Sequence, residues 1–205
     1  MRNVLAGITV SLDGFVTGPN DRLGAGLGDG GERLHYWVFG GPWTYDDDES
    51  RGTSGPADQA YVDDVFSRGG AFIVGRTMHD VVAGWGEDPG FGVPVFVVTH
   101  RPAERVVKGD TSFEFVTDGI ESALERARSA AGDKDVIVMG GADLLRQYLN
   151  ASLVDEFTLT IAPVLLGSGK PLFDGSQRSD LRFERFAVVE SPYATHVRYR
   201  VGAGG

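Results

Sequence analysis

The chain has 205 residues, no cysteine, 30 glycines and a formal net charge of -10. The missing thiols exclude disulfide scaffolds, thiolate metal sites, iron–sulfur clusters and cysteine nucleophiles. The acidic balance argues against a nucleic-acid partner, and no apolar run approaches the roughly 18–20 residues of a membrane span.

Residues 3–10 (NVLAGITV) are apolar and partly β-branched, and they read as a buried strand. Seven glycines between residues 14 and 31 mark a long loop. Residues 32–39 form a short helix, and 40–57 a second loop with the acidic run Asp46, Asp47, Asp48 and Glu49. That run lacks the alternating spacing of a calcium loop and reads as solvated. Residues 58–68 are expected to be helical, with Ala60, Tyr61, Val65 and Phe66 as the apolar stripe.

A regular alternation follows. Residues 71–74 are a buried strand leading into Gly75, Arg76, Thr77 and a short helix. Residues 93–99 and 113–116 are strands, and 119–131 the clearest helix. Asp118 with Glu121 reads as a capping box at its start. The strand 135–139 runs into Gly140 and Gly141, which open a helix carrying Leu144, Leu145, Tyr148 and Leu149. Segments 156–162, 181–190 and 194–201 are strands, and the tail 202–205 is expected to fray. The order predicts one α/β domain over 1–201. Its central sheet is mixed and mostly parallel, with helices on both faces and an antiparallel C-terminal part.

Three strand ends carry groups suited to an anion. Gly140, Gly141 and Ala142 offer free backbone amides where a helix begins. Gly75, Arg76 and Thr77 add a guanidinium fork and a hydroxyl, and Thr99, His100 and Arg101 add a third such set. Each has a plain structural alternative, a tight turn or a helix cap. Together they matter more, because ligands of open α/β sheets sit outside the carboxyl ends of the strands. A dinucleotide bearing an extra ribose phosphate would account for two arginines there. Tyr36, Trp37, Phe39 and Trp43 form either a core plug or a wall against a planar ring. The four histidines, at 35, 79, 100 and 196, have no metal-ligand spacing, and no metal site is expected.

In order and strand context, these pieces resemble the dihydrofolate reductase-like superfamily. They are most similar to the branch typified by the C-terminal reductase domain of the bifunctional riboflavin-biosynthesis deaminase/reductase. The matching pieces are Ser11-Leu12-Asp13-Gly14-Phe15, Gly75-Arg76-Thr77, Thr99-His100-Arg101, Gly140-Gly141-Ala142, and Asp155-Glu156 with the later Pro163 to Phe173 segment. They span about residues 2–200. The resemblance implies NADPH-dependent reduction of a small heterocycle. A cytoplasmic location is expected separately, because Ser11 and Asp13 interrupt the apolar N-terminal run that a signal peptide would need. The resemblance also implies that Gly75, Arg76, Thr77, Thr99, His100 and Arg101 line the adenosine and 2′-phosphate side. Gly140, Gly141 and Ala142 would take the pyrophosphate, with Leu144 and Leu145 behind. Ala6 and the loop of Ser11, Asp13 and Gly14 would border nicotinamide and substrate, with Trp37 as a ring wall and Asp13 as the candidate catalytic group. Asp13 reads equally well as the closing residue of a turn.

The departures are also informative. Phe15 stands where the riboflavin-type reductase usually has a basic residue after Asp-Gly. The zinc deaminase half, which needs cysteine ligands, is not expected in this chain. Asp58, Asp63 and Asp64 lie on a plausible helix, but no flanking motif marks one of them as a substrate carboxylate. Two other readings stay open: a nucleotide-binding sensor that keeps the fold without turnover, and a structural homodimer. An antiparallel C-terminal edge suits a symmetric dimer in any of these cases.

Overall fold

The structure is a computed structural model that describes residues 2–45 and 54–203. The acidic run Asp46 to Glu49 lies outside the described residues. The first strand, β1 (Val4–Val10), sits inside a nine-stranded sheet. On one side it pairs in parallel with β7 (Asp135–Gly140), then β3 (Gly69–Gly75), β4 (Val95–Val98) and β6 (Thr111–Val116). On the other side it pairs in parallel with β8 (Glu156–Ile161). Two antiparallel strands, β11 (Thr195–Ala203) and β10 (Leu181–Glu190), complete that edge. The mixed, mostly parallel sheet with an antiparallel C-terminal part is the architecture read from the sequence.

The apolar runs alternate between two cores, as a period of two residues requires. Val4 and Ala6 face one core and Leu5 the other; Ala71 and Ile73 oppose Phe72 and Val74; Val136 and Val138 oppose Ile137. The first core is covered by α4 (Ile120–Ala131) and α5 (Ala142–Asn150). The second is covered in part by Val65 of α2 (Pro56–Arg68) and Met78 of α3 (Arg76–Val81). Helices therefore lie on both faces. Each fully buried branched or aromatic side chain contributes roughly 1.5–3 kcal/mol. No helix among the described residues is long and apolar enough to cross a membrane.

Several expectations need correction. Asp118 does not cap α4. Gly119 occupies that position without a side-chain cap, and Asp118 Oδ2 accepts instead from Ser122 and Arg126. Ala60 and Phe66 of α2 are exposed, so only Tyr61 and Val65 of the expected stripe are partly buried, and the helix's one fully buried side chain is Asp58. Arg68 Nε donates to Asp135 Oδ2 at 2.9 Å and Nη1 to Glu156 Oε2 at 3.0 Å, tying the end of α2 to the sheet. Between residues 99 and 113, where the sequence marks no element, β5 (Val106–Lys108) extends the sheet antiparallel to β6. The tail is ordered further than expected, since Gly202 and Ala203 pair with Arg182 and Leu181.

The glycine-rich loop also holds structure. β2 (Phe15–Thr17) pairs with β9 (Lys170–Pro171) in a separate ribbon. Gly169 explains one glycine there: its φ is +137°, and a Cβ would fall 1.9 Å from the Thr17 carbonyl oxygen. A 3-10 turn, Gly31–His35, leads into the single helical turn α1 (Tyr36–Phe39). It lays an aromatic segment across the carboxyl half of β1.

Candidate functional site

A cavity of about 1520 Å³ runs along the carboxyl ends of the parallel strands. Its wall at one end is Gly75, Arg76 and Thr77 after β3, with Thr99, His100 and Arg101 after β4. Thr117, beyond β6, joins them. The middle is formed by Ala6 and Gly7 of β1 together with Gly141, Ala142 and Leu144. The far end holds Trp37, Trp43, Tyr61, Thr158 and Thr160. Sequence segments far apart meet here because each leaves the same edge of the sheet.

The first end is electrostatically organised by Asp80 on α3. Arg76 Nε donates to Asp80 Oδ1 at 2.6 Å, and Arg101 Nη2 donates to Asp80 Oδ2 at 2.8 Å. Burial works against the Asp80 carboxylate. Hydrogen bonds from Arg76 and His79 outweigh it and hold the pKa below its ordinary value. Arg76 also lies 5.2 Å over the Phe115 ring, and its Nη1 is buried with no partner among the described residues. Such an orphan donor calls for an acceptor. In the middle, Gly140 adopts φ +115°, which suits glycine, and Gly141 has nothing within 4 Å of a built Cβ. A backbone without side chains thus faces the start of α5, where free amides and the helix dipole favour an anion.

Five expected residues lie outside the wall. Ser11 is buried at the end of β1, and its Oγ accepts from the Phe15 amide at 2.9 Å. Asp13 is committed to another loop: its carboxylate accepts from the amides of Leu166 at 3.2 Å and Gly167 at 2.7 Å. Hydrogen bonding from Ser11, then from those amides, lowers the Asp13 pKa to about 2. In this arrangement the Asp13 carboxylate ties two loops together and lies outside the cavity wall. Gly14 supplies a φ of +86° at the turn between β1 and β2. Gly140 and Leu145 are buried behind the wall, and Leu145 packs into the α4–α5 core.

Trp37 does border the cavity, though its indole N–H is already used, donating to Thr9 Oγ1 at 3.1 Å. Behind it lies a group that the sequence did not mark. Asp58 and His196 are fully buried, and Asp58 Oδ1 stands 2.9 Å from His196 Nε2. His196 Nδ1 is 2.8 Å from the Thr160 hydroxyl. The imidazole is stacked on Tyr61 at 4.3 Å and meets the Trp37 ring edge-on at 4.7 Å. Burial, working against the pull of Asp58, lowers the His196 pKa and favours the neutral ring. One sequence signal pointed here: Thr158 and Thr160, two apart on a strand, share a face. His35, nearby, is also held neutral, with burial pushing its pKa down to about 4.

Comparisons with known proteins agree with this frame. Residues 2–194 match the family described as the RibD C-terminal domain. Uncharacterized protein YyaP of Bacillus subtilis (strain 168) is 28% identical over 193 residues, covering 88% of this chain and 86% of that protein. A putative riboflavin biosynthesis protein from Shewanella sp. PV-4 superposes with a TM-score of 0.69 at 24% identity, covering 98% of this chain and 99% of that one. A pyrimidine reductase-like protein from Corynebacterium diphtheriae gives 0.57 at 15% identity, covering 98% and 92%. Acinetobacter baumannii RibD gives 0.59 at 15% identity; 98% of this chain is covered but 58% of that one.

Proposed function

Because the chain belongs to the RibD C-terminal domain family, we propose that it is an NADPH-dependent reductase of a small heterocyclic substrate. One observation carries the reading. A single cavity of about 1520 Å³ joins a two-arginine end, a bare glycine middle and an aromatic end. That exceeds the roughly 300–1,000 Å³ of an ordinary ligand pocket and leaves room for a dinucleotide and a second molecule.

The residues present fit the cofactor. Arg76, with its unpartnered Nη1, and Arg101 would hold the 2′-phosphate, beside Thr77 and Thr99. The amides of Gly141 and Ala142 would hold the pyrophosphate, and Ala6 and Gly7 leave space for the nicotinamide. When bound, the cofactor supplies the hydride chemistry; the protein binds, orients and excludes water. Trp37 and Trp43 would shelter the substrate ring.

Steady NADPH oxidation, followed by ultraviolet absorbance with dihydrofolate, menadione or a pyrimidine flavin precursor as acceptor, is the expected result. The sensor reading draws support from Asp13, whose carboxylate is taken up by the Leu166 and Gly167 amides and lies outside the cavity wall. NADPH binding with no oxidation in the presence of any acceptor would favour the sensor.

A further inference from the structure

We infer that the aromatic end of the cavity takes an uncharged planar ring and turns away phosphorylated and cationic ones, because the charges that line the wall outside the two-arginine end are already matched. The inference rests on the reductase reading only in calling this ligand the substrate; the charge matching is independent of it.

The two ends differ in their balance of charge. At the first, Arg76 and Arg101 share the single carboxylate of Asp80, at 2.6 and 2.8 Å, which leaves one positive charge to spare for a phosphate. Elsewhere on the wall, among the described residues, no cation is in surplus. Lys170 pairs with Asp21. Arg146 pairs with both Asp143 and Asp174. Arg198 stands 3.0 Å from Asp64 and 3.6 Å from Glu156. A phosphate pushed into this end would shed its water and meet no unclaimed cation.

A cationic ring fares no better. Glu156, which shares a face of β8 with Thr158 and Thr160, is the carboxylate that lines the cavity there. Arg68 takes it with both arms of its fork, Nη1 to Oε2 at 3.0 Å and Nη2 to Oε1 at 3.1 Å. The Asn3 amide donates to Oε1 as well, at 3.1 Å. Such a bidentate pair is the strong form of the carboxylate–guanidinium contact, and a passing cation does not displace it. His35, also on this wall, adds no charge at neutral pH, because burial holds its pKa at about 4.

What remains is apolar and ring-walled. Leu5 of β1, Val62 and Val65 of α2, and Trp85 beyond α3 lead to Trp37 and Tyr61, whose ring centroids lie 5.8 Å apart. Flat aromatic walls favour a flat ligand.

The test is isothermal titration of the full chain with two matched pairs of ligands at neutral pH: 1-naphthol with 1-naphthyl phosphate, and quinoline with N-methylquinolinium. It is run on wild type saturated with NADP+ and on the Arg76→Ala/Arg101→Ala variant, so that the phosphate cannot lodge at the other end. The neutral member of each pair is expected to bind at least about tenfold more tightly, since its partner must bury an unmatched charge. Arg68→Gln uncovers Glu156, and should raise N-methylquinolinium affinity about tenfold while leaving quinoline unchanged. A charged member that binds as tightly as its neutral partner, neutral rings that do not bind, or a folded Arg68→Gln variant without the gain would each overturn the inference. If Arg68→Gln does not fold, the ranking within the two pairs decides alone. A thermal-shift measurement with NADPH separates the two claims. A normal NADPH shift with a charged ring preferred sinks this inference alone. A missing shift sinks the reductase reading, while the ranking in the double variant still decides this inference.

Discussion

Replacing both Arg76 and Arg101 with alanine is expected to erase a preference for NADPH over NADH. Each guanidinium offers a planar fork to a phosphate, and hydrogen bonds to charged groups contribute roughly 1.5–3 kcal/mol each. Together they amount to at least about a hundredfold in affinity. The loss should fall on NADPH alone, because NADH carries no group for the arginines to meet. Asp80 already gathers both side chains to one point, with bonds of 2.6 and 2.8 Å, so a phosphate arriving there meets two aligned donors. Isothermal titration of both cofactors against wild type and the double variant makes the comparison. A double variant that still discriminates would show that the 2′-phosphate binds elsewhere.

Acidification should destabilise the protein through His35 before the carboxylates respond. The folded His35 has a pKa of about 4, below its ordinary 6.5, because burial disfavours the charged ring. Above about pH 6.5 both states are neutral and the contribution is fully present. As pH falls from about 6.5 toward about 4 the unfolded chain gains a proton that the folded one refuses, and stability drops. The loss is about 2–3 kcal/mol by about pH 4.5, at 1.36 kcal/mol per unit. His196, depressed by the same cause, acts in the same direction. Asp13, Asp80 and Glu156, whose pKa values are lowered, contribute stability that is lost only at lower pH. Denaturant unfolding at about pH 7.5 and about pH 4.5 should therefore show a shallower decline for His35→Leu than for wild type. Parallel declines would mean that His35 takes up its proton without cost.

Much of this frame was legible because it is local. Apolar runs such as 71–74 and 135–139 are continuous because parallel strands are covered on both faces. Gly75-Arg76-Thr77, Thr99-His100-Arg101 and Gly141-Ala142 each follow a strand, so one parallel sheet brings them to one edge. The loop contacts of Asp13 were not legible because an exposed acidic residue in a glycine turn looks the same in sequence whether it faces a ligand or distant amides. Its partners, Leu166 and Gly167, lie 153 and 154 positions away. The Asp58–His196 pair was hidden for the same reason, with 138 positions between its members and a buried histidine set in a strand read only as an edge. Asp118 failed as a cap because Gly119 already gave the backbone its entry to α4. The glycine excess divides along the same line. Gly75 and Gly141 border the cavity, whereas Gly169 makes room for the Thr17 carbonyl in the ribbon.

The proposed function requires a 2′-phosphorylated nicotinamide dinucleotide in the strand-end cavity. Its most direct test is a thermal-shift titration of the wild-type chain with NADPH, NADH, FMN and the deazaflavin cofactor side by side. A saturable rise in melting temperature, largest with NADPH and smaller with NADH, is the expected result. A larger rise with FMN or the deazaflavin cofactor, or no rise with NADPH at saturating concentration, would contradict it.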